Sequence, residues 1–101
     1  MLNNVKKTKI VCTLGPASQS EEVLTQLMQN GRNVCRFNFS HGSHEEHKER
    51  IDMAKKVREK LNKPVAILLD TKGPEIRTGN FADPEVFLEE GSKFTITMSD
   101  V

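Results

Sequence analysis

The sequence reads as an α/β protein built on a parallel sheet, and three features point there. Short aliphatic runs, halted by Gly15-Pro16 or by Ser40-His41-Gly42, alternate with stretches whose apolar residues return every three to four positions. A serine with a glutamate three residues later stands at the start of each such stretch, as a helix N-terminus requires. The third aliphatic run, residues 65–69, does not alternate with polar residues. That suits a strand covered on both faces, as parallel strands usually are.

Taken in order, residues 9–13 (Lys-Ile-Val-Cys-Thr) predict a buried strand. Ser18 and Glu21 predict a capping box, in which the serine oxygen accepts a free amide and the glutamate reaches back. Val23, Leu24, Leu27 and Met28 share one face of the helix that follows, and Asn30-Gly31 offers a left-handed stop. Residues 33–39 predict the second strand. Period two puts Cys35, Phe37 and Phe39 on one side of it, with Arg36, Asn38 and Ser40 on the other. Ser43 and Glu46 predict a second capping box. Its helix runs to about residue 62, with Ile51, Ala54, Val57 and Leu61 facing inward.

After the third strand the character changes. Thr71-Lys72-Gly73-Pro74 is a turn, and residues 85–88 and 94–98 read as two short strands. Phe94, Ile96 and Met98 alternate with Thr95 and Thr97, the mark of a strand with one wet face. This is the expected opening of an antiparallel unit. With nothing after Val101 to cover it, the sequence reads as the front portion of something larger.

Composition narrows the classes of function. Fifteen basic side chains against 14 acidic leave a net charge of +1, which argues against nucleic acid or an anionic membrane as partner. There is no Trp or Tyr to stack on bases. The longest aliphatic run, residues 65–69, is far short of the roughly 20 residues a membrane helix needs. The N-terminus lacks the apolar centre of a secretion signal, so a cytoplasmic protein is expected. Cys12 and Cys35, each inside an apolar run, read as buried reduced thiols. The basic residues of the second helix read as a solvated face, with Glu46–Arg50, Asp52–Lys56 and Glu59–Lys63 at i,i+4. His41, His44 and His47 recur every third residue, but loop and charged-helix positions explain them better than a transition-metal tract. No Gly-x-x-x-x-Gly-Lys-[Ser/Thr] loop occurs.

Parallel α/β folds collect ligands at the carboxyl ends of their strands, and the polar residues gather there. Arg36 offers a planar fork for phosphate or carboxylate. Asp70 brings charge that a cation neutralises, while Asn38, Ser40 and Thr71 are hard oxygen donors. Arg77 lies just past the turn and could reach in. Phosphate plus cation is one reading; an Arg36–Asp70 pair that merely ties the sheet is the other.

These segments resemble a known family. Residues 9–18 (KIVCTLGPAS), 33–42 (NVCRFNFSHG) and 68–79 (LLDTKGPEIRTG) closely resemble the N-terminal part of bacterial pyruvate kinase. The resemblance implies the first three β/α units of a (β/α)8 TIM barrel in residues 1–73 and the incomplete start of an inserted β-rich lid in residues 74–101. It also implies that Arg36 contacts the phosphoryl group of phosphoenolpyruvate, and that Asn38, Phe39, Ser40, His41 and Arg77 line the nucleotide phosphates. Asn38, Ser40, Asp70 and Thr71 would ligate K+, with Glu75 marking potassium dependence. Mg2+ is implied too, held by residues outside this chain, in a family that is typically homotetrameric. The later strands that carry the proton-transfer lysine have no counterpart here. The chain alone is therefore expected to be inactive, a front segment of the enzyme. The alternative is a non-catalytic truncated product or interaction module.

Overall fold

The computed structural model describes residues 5–99. Its regular elements are β1 (Ile10–Thr13), a 3-10 turn (Pro16–Ser18), α1 (Glu21–Gln29), β2 (Arg32–Asn38), α2 (His44–Lys60) and β3 (Ala66–Asp70). The strands form one parallel sheet in the order β1-β2-β3. Each parallel step returns through a helix, because parallel neighbours need a crossover rather than a hairpin.

The core lies between the sheet and the two helices. Leu24 and Met28 of α1, Ala54 and Val57 of α2, and Cys35 and Phe37 of β2 are all buried, closed off by Leu14 and Val65. Both helix faces follow the predicted spacing. Only the middle strand meets core side chains along most of its length, with Cys35 and Phe37 inward and Arg36 and Asn38 half-buried on the other face.

Four expectations need correction. Serine 20, not Ser18, caps α1: the Ser20 Oγ accepts from the Val23 amide at 3.3 Å. Ser18 instead closes the turn before it, its Oγ accepting from the Gly15 amide at 3.1 Å. Glu21 is thereby free to cross to α2, where it meets Lys56 at 2.8 Å and Lys60 at 3.4 Å. Second, β1 and β3 are not buried. Ile10, Val11, Leu68 and Leu69 stay exposed, and Cys12 is only half-buried, because each outer strand has a ladder neighbour on one side only among the described residues.

Third, the pairs expected along α2 do not form. Arg50 donates to Gln19, Lys56 turns to Glu21, Lys63 donates to the Met28 carbonyl, and Asp52 takes Lys48. Contacts to α1 and to the turn before it draw off Arg50, Lys56 and Lys63, while Asp52 forms a different exposed i,i+4 pair with Lys48; such pairs are worth only about 0.3–0.5 kcal/mol. Fourth, residues 71–99 contain no strand among the described residues, and every one of them is exposed. A strand is stabilised by its ladder and cross-strand contacts, and here residues 85–88 and 94–98 have no partner. One turn of that stretch does form: the Ser92 amide donates to the Glu89 carbonyl at 3.1 Å, with Gly91 at φ +79°.

Candidate functional site

The register of the sheet builds the site. Thr13 stands beside Arg36 across β1 and β2, and Asn38 beside Asp70 across β2 and β3. The Phe39 amide donates to the Asp70 carbonyl at 2.9 Å, carrying the ladder one residue past β2. Period-two alternation turns Arg36 and Asn38 away from Phe37 and the helices. Their polar groups therefore collect at the carboxyl rim, over the ends of two neighbouring strands.

Arg36 spans the sheet there. Its Nε donates to Asp70 Oδ2 at 2.9 Å, its Nη2 closes on the same oxygen, and its Nη1 donates to Thr13 Oγ1 at 2.7 Å. The ion pair is half-exposed, with side-chain exposures of 31% for Arg36 and 43% for Asp70. Water therefore screens it, and pairs of this kind are worth about 0.2–1 kcal/mol. Both donors fall on Oδ2; among the described residues no hydrogen bond reaches Oδ1. Asn38 Oδ1 accepts from the Ser40 amide at 3.1 Å, an Asx turn that starts the loop, and an amide oxygen has a second lone pair to give.

The loop then enters α2 through the predicted capping box. The Glu46 amide donates to Ser43 Oγ at 3.3 Å and the Ser43 amide to Glu46 Oε2 at 2.9 Å. Gly42, just ahead of Ser43, takes a left-handed φ of +80°. This capped N-terminus sits beside the strand ends, where a helix favours negative charge.

Arg36, Asn38, Ser40 and Asp70 are thus brought together, with Thr71 one residue past the strand end. Arg77 is not. It folds back on Glu75, donating at 3.0 Å and 3.1 Å to the two carboxylate oxygens, while Lys72 approaches Glu75 at 3.3 Å. Arg77, then Lys72, hold the Glu75 carboxyl below the usual carboxylate range. These three residues form their own exposed cluster.

Two residues at the site were missed in the sequence. Thr13 is visible only through the register, since it is the last residue of its strand. His47, expected on the first turns of a charged helix and given no role there, is buried at 3% exposure. Its signal was in the pattern: it stands at i,i+4,i+7 with Ile51 and Ala54. Among the described residues, no group of three or more His, Cys, Asp or Glu side chains is placed to hold a metal ion. The oxygens of Asn38, Ser40, Asp70 and Thr71 differ in kind. They are hard donors of the type that suits alkali and alkaline-earth cations, and by donor chemistry they fit such an ion.

A guanidinium, a carboxylate and a capped helix N-terminus thus share the carboxyl rim of a parallel α/β sheet. Comparison with known proteins gives the family: residues 5–101 match the model of the pyruvate kinase barrel domain, and the chain belongs to the pyruvate kinase family. It is 60% identical over 97 residues to pyruvate kinases of Staphylococcus epidermidis, Staphylococcus haemolyticus and Staphylococcus aureus. Those alignments cover 96% of this chain but 17% of each relative, so the chain spans about a sixth of their length. Among the described residues, no helix is long and apolar enough to cross a membrane.

Proposed function

We propose that this chain is the front segment of a pyruvate kinase. In that role it serves phosphoryl transfer from phosphoenolpyruvate to ADP, giving pyruvate and ATP, and has no turnover by itself. The observation that carries the reading is the meeting of Arg36, Asn38 and Asp70 at the ends of adjacent strands. In this reading β1, β2 and β3 are the first staves of an eight-stranded barrel. Residues from 74 onward open a β-rich lid whose strands form when partner strands are supplied.

Phosphoryl transfer is mostly positioning and neutralisation of spread negative charge. Arg36 supplies a fork that matches phosphoryl oxygens, and to reach them it must share or release Asp70. Asn38, Phe39, Ser40 and His41 line the nucleotide phosphates, and Arg77 joins them only by leaving Glu75. Asn38, Ser40, Asp70 and Thr71 would hold K+, with Glu75 the determinant of potassium dependence. The ion would supply positive charge beside the transferring group. Mg2+ would be held by residues outside this chain. The setting is the cytoplasm, the assembly a homotetramer, and neither nucleic acid nor membrane is a partner.

The test is pyruvate formation from phosphoenolpyruvate and ADP, with K+ and Mg2+ present. It is run on this chain and on the product of the coding sequence extended downstream. Turnover by the extended product alone supports the reading. In that product Arg36→Ala should lower kcat/KM for phosphoenolpyruvate on the order of a hundredfold, the usual scale for losing a charge-stabilising donor. Arg36→Lys, which keeps charge but loses the fork, should lower it less. An extended product with no turnover would overturn the proposal and favour a non-catalytic module.

A further inference from the structure

The rim loop packs on a histidine for which the proposed chemistry has no use. The His47 Nε2 lies 2.5 Å from the His41 carbonyl oxygen. A carbonyl only accepts, so the proton sits on Nε2. The Phe39 ring lies flat against the same imidazole, with centroids 4.2 Å apart and planes at 16°. His44 also meets that phenyl ring edge-on, at 6.3 Å and 69°. Gly42 passes so close that a Cβ there would stand 3.3 Å from Nε2. Phe39, His41 and Gly42 thus all rest on one side chain.

The residue type is informative because it is costly. His47 shares the core face of α2 with Ile51 and Ala54, a position that a leucine could fill without burying a polar atom. Its Nδ1 is instead buried with no hydrogen-bond partner among the described residues, and leaving such an atom unsatisfied costs about 1–3 kcal/mol. What the histidine offers in return is the N–H at Nε2, aimed at the loop backbone.

We infer that His47 is the positioning residue of the rim loop, fixing residues 38–42 through the His41 carbonyl and the Phe39 ring. It acts through the loop and touches no ligand itself. The consequence for a nucleoside diphosphate rests on the phosphoryl-transfer reading; the ordering of the loop does not.

Three variants separate the contributions in the protein that carries this chain. His47→Leu removes ring and donor, His47→Phe keeps a ring, and His47→Gln keeps a donor. Amide hydrogen exchange and steady-state kinetics are measured on each. Losing the donor, in His47→Phe and His47→Leu, should speed exchange across residues 38–43 about fivefold or more, the factor that one hydrogen bond of roughly 1 kcal/mol supplies. Exchange in the β1–β2 ladder should stay within about twofold, KM for ADP should rise with kcat nearly constant, and His47→Gln should recover part of both effects. Should His47→Leu fail to fold, the contrast between His47→Phe and His47→Gln decides. Unchanged exchange at 38–43, or equal acceleration over the whole ladder, would overturn the inference. A wild type without turnover but with loop-specific exchange effects in the variants would sink the phosphoryl-transfer reading and leave the inference standing.

Discussion

Cys35 is fully buried beside Phe37, and burial pushes its thiol pKa up because the thiolate would lose its hydration. Arg32 and Arg58 oppose the shift without reversing it. The native state therefore keeps this proton at pH values where the unfolded chain, titrating near 8.5, has begun to lose it. The resulting stability is fully present below about pH 8.5 and is lost as pH rises through the native value. Urea unfolding should give a midpoint that falls as pH rises above about 8.5, with a flatter fall in Cys35→Ala; parallel profiles in the two proteins would refute this. Single positions were unevenly legible. Arg36, Asn38 and Asp70 could be placed from alternation, since a period of two fixes which face a side chain takes. Arg32 could not. The same alternation, counted back from Cys35, puts Asn33 inside. The register instead jumps from Ile10↔Arg32 to Val11↔Val34, and Arg32 is the buried residue at 5% exposure. A bulge inverts facing, and no motif here announced it.

The helix starts show how local rules compete. Ser18 and Ser20 both lie just ahead of α1, and the Ser-x-x-Glu rule selects Ser18 because Glu21 follows it by three. The chain selects Ser20, and Glu21 pairs instead with Lys56 and Lys60, which hold its carboxyl below the usual range. At α2 nothing outside competes, and the box forms as spaced. Ser43→Ala should then destabilise the chain by about 1 kcal/mol, and Ser20→Ala should shift unfolding more than Ser18→Ala does at the α1 end. Urea midpoints of the three variants check both statements; an equal or larger loss for Ser18→Ala would restore the simpler rule. Core faces were easier to read than ends, since a 3.6-residue period averages over several turns while a cap rests on one hydrogen bond.

The radius of gyration is 19.4 Å, against about 13 Å for a compact chain of this length. Residues 71–99 account for the excess, with Phe87 at 87% and Ile96 at 85% exposure. Brief chymotrypsin treatment should cut first after Phe81, Phe87 or Phe94 and leave residues 5–70 whole, as read by mass spectrometry. First cuts within β2 or α2 would contradict the division. The parallel sheet was legible because its strands and helices alternate within the chain. The last strand was expected from Phe94, Ile96 and Met98, a pattern that records which face would be dry but supplies no neighbour to dry it.

The guanidinium of Arg36, touching Thr13 on one flank and Asp70 on the other, works as a rivet through three adjacent staves. An oxyanion that recruits those N–H groups draws on the same donors that fasten the rim. In the proposed phosphate role, occupancy and cohesion compete at one side chain, and sulfate or phosphate in the buffer should loosen the edges of this sheet by no more than the roughly 0.2–1 kcal/mol that the screened pair supplies.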